Sequence, residues 1–420
     1  MATPADHLPQ AIADEKLSSF ITSIGLPCPS SVSQLSVSAQ FHAVYAISFK
    51  SEDLKYVVPA ASTELILRVS GDHIPDRKTR NEVACLQWLK IHSKIPVPAV
   101  VKWDATTANL LEREFILLER VPGQSIDSLY IRLTDESKLS IVQQLADIVV
   151  QMHDKTWDVV GGLTIDDGDL TGQTIHPGPI LDEMFWMPPD IVAHWDPHVP
   201  GESFATLNVE GPFRGFAEYS AAQLEKLAYA ISKHPMTAPV RYFVPRVNLL
   251  TAALREDGLD SLGKTVNSGL KYVLAHRDLH LGRDLHLGNV MYDHATGRIT
   301  GVLDWEFAGL VPERMWNPVR CFLWNCKNDE NSKAEQRKLL TDFKGHCESR
   351  GVFLHIDGLM EHIEPPSEDE IPTPTQLRAS LNTLLTYLGG MVNFFPRNKR
   401  IDKMETWKEA VEVALKELGF

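Results

Sequence analysis

The sequence predicts an α+β protein of two lobes, a small β-rich one followed by a larger, mainly helical one. Three observations lead there. Strand-like patterning with a single clear helix fills the stretch from Ser36 to Gly123. A long amphipathic helix follows at Ser137–His153. Beyond it, a polar stretch at 276–289 lies between short apolar runs that read as strands.

Taken in order, residues 1–35 read as an irregular N-terminal segment, with Pro27 and Pro29 near its end. Val44, Ala46, Ser48 and Phe49 lie in one strand-like stretch, and Leu65–Val69 forms another. The span Asp76–His92 reads as a helix. Asp76 is placed to cap it, Val83, Leu86 and Leu89 give a periodic stripe, and Pro96 enforces a stop. Glu114–Val121 reads as a buried strand ended by Pro122-Gly123. In Ser137–His153 the apolar face is Ile141, Leu145, Ile148, Val149 and Met152.

Residues 161–245, rich in Gly, Pro, Trp and His, read as an irregular insertion with short helices. Glu361–Pro374 is acidic and Pro-rich and reads as a surface loop. Two helices close the chain, near Gln376–Phe394 and Lys403–Leu418. The expected division is an N-lobe at 36–123 and a C-lobe at 124–420.

The 420 residues carry 41 Lys+Arg against 55 Asp+Glu, a net charge of −14. That balance argues against sequence-independent nucleic-acid binding, which needs a basic footprint. No apolar run reaches the ~18 residues that span a bilayer, and Met1–Asp6 lacks the pattern of a signal peptide. Five scattered cysteines read as reduced thiols, so an intracellular, cytoplasmic protein is expected.

The chemistry concentrates in His276-Arg-Asp278-Leu-His-Leu-Gly282-Arg-Asp284-Leu-His-Leu-Gly288-Asn289 and in Leu303-Asp304-Trp-Glu306. Phosphoryl transfer needs a carboxylate to take the proton of an attacking hydroxyl. It also needs hard oxygen ligands for a magnesium ion that bridges nucleotide phosphates. An Asp followed five residues later by Asn supplies the base and one ligand from a single loop. An Asp after the next strand supplies the second ligand, with Glu306 as an outer one.

These motifs resemble those of the aminoglycoside phosphotransferase and choline kinase-like family, a branch of the protein-kinase-like fold, from about Ser36 to Phe322. The resemblance implies an ATP- and Mg²⁺-dependent kinase acting on a hydroxyl of a small molecule. In that frame Arg68 steadies the nucleotide phosphates and Glu82 pairs with it. Adenine docks on the backbone of the hinge strand, around Glu119 and Val121. Asn289, Asp304 and Glu306 face the metal, and an insertion at about 161–270 walls the acceptor pocket.

Three departures stand out. Position 68 is Arg where the fold usually has Lys, and the two are not interchangeable at a phosphate. No glycine occurs in Ser36–Tyr45, where a strand pair should cover the phosphates. The loop also contains a tandem repeat, Arg277–Gly282 followed by Arg283–Gly288. Asp278 keeps the His two residues before it, whereas Asp284 keeps the Asn five residues after it. Base and Asn must converge on the same phosphates, so Asp284 is favoured as base, with Asp278 the alternative.

About 120 residues separate the Ser137–His153 helix from the catalytic loop, and Pro312-Glu313 follows Asp304 too soon to frame a peptide groove. Both features favour a small-molecule acceptor over a protein one. A pseudokinase that binds nucleotide or a partner without transfer is the alternative, given Arg68, the missing glycines and the repeat.

Overall fold

The computed structural model describes residues 7–36, 41–50, 63–258, 261–276, 287–313, 329–354, 372–397 and 399–420. Helix α1 (Asp14–Ser23) occupies part of the segment expected to be irregular. Its Leu17, Phe20 and Ile21 are fully buried at i, i+3, i+4 spacing. They cover one face of an antiparallel sheet of β1 (Ser31–Gln34), β2 (His42–Ser48), β3 (Glu64–Ser70), β4 (Val100–Asp104) and β5 (Phe115–Glu119). The strand order is β1-β2-β3-β5-β4.

Period-two alternation assigns each β3 side chain to a face. Leu65, Leu67 and Val69 point into the core shared with α1. Ile66 and Arg68 therefore belong to the opposite face, and Ile66 packs against the core shared with the C-lobe.

That opposite face meets α2 (Arg77–His92). Val83, Leu86 and Leu89 are buried as the stripe predicts, but so are Lys78, Thr79, Asn81, Glu82 and Gln87. The helix is embedded rather than amphipathic. Its cap also differs from expectation. Asp76 adopts a left-handed φ of 64° and makes no side-chain cap, its carboxylate being engaged by Arg80 Nε at 2.6 Å. The helix start is held by Glu114 just before β5, which accepts from the Asp76 N–H and the Thr79 hydroxyl, each at 2.6 Å.

The chain continues with β6 (Gln124–Ser125), α3 (Ile126–Leu129) and α4 (Asp135–His153). The Thr134 side chain caps α4 by accepting from the Ser137 N–H. The predicted apolar face of α4 is buried in full. Then come β7 (Thr156–Trp157), β8 (Gly162–Thr164), β9 (His176–Gly178), α5 (Pro188–His194) and α6 (Phe204–Leu207). The insertion is more regular than its composition suggests. It contains the 18-residue α7 (Phe216–Lys233) and ends as the 12-residue α8 (Val244–Arg255) begins, which is followed by α9 (Leu262–Asn267).

β10 (Tyr272–Ala275), β11 (Val290–Asp293), β12 (Arg298–Val302) and β13 (Gly309–Pro312) carry the polar segments. They form two small sheets, β13-β10-β7 and β12-β11-β6. Helix α10 (Glu330–Glu348), which the sequence reading did not single out, packs on the α4 side of this core. α11 (Pro374–Phe394) and α12 (Met404–Glu417) match the two closing helices. They join α7 and α8 in a second core with Trp186 and Trp195. Residues 361–371 of the acidic stretch lie outside the described residues.

Among the described residues no helix is long and apolar enough to cross a membrane. Cys28, Cys85 and Cys347 are free. Cys321 and Cys326 lie outside the described residues.

Candidate active site

Arg68 emerges from β3 on the face away from α1, toward the seam between the lobes. Its Nη1 lies 3.3 Å from Glu82 Oε1 on α2, and its Nη2 lies 3.0 Å from Asp304 Oδ1 beyond β12. Two consecutive elements, β3 and α2, therefore meet a residue 236 positions downstream of Arg68 on one guanidinium. Burial works against its charge, but the carboxylates of Glu82, Asp304 and Glu306 more than compensate and raise its pKa above the ordinary value. Burial in turn raises the Glu82 carboxyl, and Arg68 opposes that shift.

Glu306 is 4% exposed. Its carboxylate faces Lys78 Nζ at 3.7 Å, His42 Nδ1 at 3.3 Å and Arg68 Nη2 at 3.8 Å. Burial pushes its pKa well up, and the ammonium of Lys78 is the main opposing charge. Because Arg68 only donates, His42 Nδ1 accepts from Nη2 at 3.1 Å, which makes His42 neutral. Burial first, then Arg68 and Lys78, hold the His42 pKa well below its usual value.

Lys78 was missed from the sequence. It is fully buried on α2, and its Nζ lies over the Phe41 ring at 5.3 Å. Among the described residues Nζ has no hydrogen-bond partner. Burial lowers its pKa against the pull of Glu306 and Glu114. Asn81 was missed as well. Its Nδ2 donates to the Glu306 and Ala308 carbonyls at 3.0 and 2.9 Å, and its Oδ1 accepts from the Leu163 N–H at 2.7 Å.

Asp304 adopts φ +69°, a left-handed conformation that Asp tolerates better than most residues. Such a residue costs roughly 1–3 kcal/mol and persists only where its surroundings fix it. Here both backbone groups of Leu303 are bonded. Its N–H donates to the Asn289 carbonyl at 2.8 Å, and its carbonyl lies 2.7 Å from His276 Nε2. Trp305, fully buried, donates to the Val302 carbonyl and meets the His276 ring edge-on. The Asp304 side chain remains 40% exposed.

His276 and Asn289, the two ends of the polar loop, are thus pinned to one residue. Asp278 and Asp284 fall in 277–286, outside the described residues, so no position is assigned to either. At the hinge, Glu119 closes β5. Val121 packs over Gly301 of β12, where an added Cβ would come within 2.7 Å of it. Gly123 takes φ +99° beside the Tyr292 carbonyl, so only glycine fits. The Thr300 hydroxyl donates to the Pro122 carbonyl at 2.6 Å. These contacts fasten the hinge to the β11–β12 hairpin that leads to Asp304.

Residues 46–312 match the family model of the phosphotransferase enzyme family, APH. The chain belongs to this family. Among curated proteins, a subtelomeric hrmA-associated cluster protein of Aspergillus fumigatus is 26% identical over 269 residues, covering 56% of this chain and 51% of its own. The mitochondrial altered inheritance of mitochondria protein 9 of Clavispora lusitaniae is 28% identical over 132 residues, covering 29% and 22%. The chain spans about half the length of the first of these relatives and less of the second.

Solved structures similar to this phosphotransferase-family chain include the ADP-bound aminoglycoside phosphotransferase APH(2'')-Ib. It has a TM-score of 0.48 at 12% identity, with coverage of 97% of this chain and 99% of that one. The gentamicin complex of APH(2'')-IIa gives 0.47 at 12%, with 98% and 97% covered. The two-lobed, protein-kinase-like architecture is that of the family.

Proposed function

We propose that this family member is an ATP-dependent kinase that transfers the γ-phosphoryl group to a hydroxyl of a small molecule. The observation that most supports it is the convergence of Arg68 of β3, Glu82 of α2 and the far downstream Asp304 at one point of the lobe seam. Arg68, held by Glu82, is the phosphate clamp. The backbone around Glu119 and Val121 receives the adenine. Asp284 orients and deprotonates the acceptor hydroxyl, with Asp278 as the alternative.

Asn289 and Asp304 offer hard oxygens that fit Mg²⁺. The Asp304 carboxylate already holds a cation, Arg68, and remains partly open to solvent. When bound, the metal would neutralise charge on the phosphates. Glu306 was expected as an outer ligand. Its burial against Lys78 and Arg68 favours instead a role as their internal counter-ion.

The test is Mg²⁺-dependent ADP release by the full chain across a panel of alcohols, amino sugars and polyols. Asp284→Ala is expected to lower transfer about 10²–10⁴-fold, while Asp278→Ala leaves it near wild type. The reverse pattern would move the base to Asp278. A chain that binds nucleotide but turns over no acceptor supports the pseudokinase reading. Deleting 277–282 separates the causes, because it restores His276-Arg-Asp-Leu-His-Leu-Gly-Asn. Activity gained only on deletion would mean that the repeat disables the site.

A further inference from the structure

We propose that Asn81 is a positioning residue for Asp304, a role that rests on the kinase reading above. The left-handed turn at Asp304 has two arms. The upstream arm, Leu303, is held by His276 and Asn289 at the ends of the polar loop. The downstream arm, Glu306 to Ala308, is held by Asn81, whose two amide hydrogens go to the carbonyls of those two residues. The remaining carboxamide atom, Oδ1, takes the Leu163 N–H. Two donors and one acceptor fix the orientation of the amide, and no other side chain of this size supplies both.

Space is reserved for this contact. Asn81 is 1% exposed, and a Cβ on Gly162 would come within 2.8 Å of Oδ1. The next residue, Glu82, holds Arg68. One turn of α2 therefore sets both the phosphate clamp and the backbone that carries the metal-facing carboxylate. The bonds that Asn81 gives the downstream arm come from α2, not from the loop that contains the repeat.

Calorimetric titration of the full chain with ADP, with and without Mg²⁺, separates positioning from general support. The variants are Asn81→Asp, which keeps the acceptor and loses both donors, and Asn81→Ser, which keeps one donor. In Asn81→Asp, metal-free ADP affinity should stay at the wild-type value, while the Mg²⁺-dependent gain falls about tenfold. Asn81→Ser should fall between. A thermal melt on each sample confirms folding, and Asn81→Ser carries the test if Asn81→Asp does not fold. An unchanged Mg²⁺-dependent gain, or equal loss with and without metal, overturns the proposal. A wild-type chain with no Mg²⁺-dependent gain overturns the kinase reading and this proposal with it.

Discussion

Lys78 and Glu306 show what a buried charge costs and how it is offset. An ammonium with no exposed surface and no hydrogen bond among the described residues is tolerable only beside a carboxylate, here 3.7 Å away. Removing one partner strands the other. Lys78→Met should therefore destabilise by ~3–5 kcal/mol, whereas Lys78→Met with Glu306→Gln should recover most of that. Denaturant midpoints of wild type, Lys78→Met, Glu306→Gln and the double variant check this, and simple additivity would contradict it. Neither Lys78 nor Asn81 was legible in the sequence. Hydrophobic patterning marks buried positions as apolar ones, and on α2 polar residues occupy the buried faces. The available signal was spacing, since Lys78 lies one turn before Glu82 on the same side. Arg68, Glu82 and Asp304 were legible because their order along the chain is tied to their chemistry.

Helix α1 is the element whose role was least visible. Its apolar positions are only Leu17, Phe20 and Ile21, too few to stand out among the charged and small residues around them. Yet it closes the outer face of the sheet, with Phe20 edge-on to Phe115 at 4.8 Å. Phe20→Ala should cost ~3–5 kcal/mol, read from the shift in denaturant midpoint. Nucleotide affinity should change little, because Arg68 points to the opposite face. Helix α7 was obscured differently. Its periodicity is regular, with Phe216, Leu224, Leu227 and Ile231 buried, but the surrounding Gly, Pro and Trp suggested loops. At α2, the cap expected from Asp76 went to Glu114, a residue 38 positions away that no local pattern reveals.

The lobes also meet through a cluster of histidine and aromatic rings. His73 stacks on Phe41 at 4.7 Å and lies edge-on to His7 at 5.2 Å and Phe307 at 6.2 Å. His7 reaches Asp190 of the C-lobe at 3.6 Å. Both ring nitrogens of His73 lack hydrogen-bond partners among the described residues. Burial, then Lys78 and His7, lower its pKa well below the usual value, while Asp190 opposes and Arg397 adds to the lowering. Below about pH 6.5 the unfolded chain takes up a proton that folded His73 refuses, so stability is lost as pH falls. Melting temperature should therefore drop between pH 7.5 and 5.5 more steeply in wild type than in His73→Phe. Parallel curves would place the sensitivity elsewhere. The two-lobed plan was readable because strand periodicity dominates the first part of the chain and helix periodicity the rest. This cluster was not, because it joins the N-terminus, the insertion and residue 397.

The two hydrogen bonds on Leu303 have a bearing on heredity. They fix where the polar loop leaves and where it returns, whatever its length. The chain that carries the six-residue duplication between His276 and Asn289 keeps both bonds, so the copying slip that lengthened the gene left these two moorings in place.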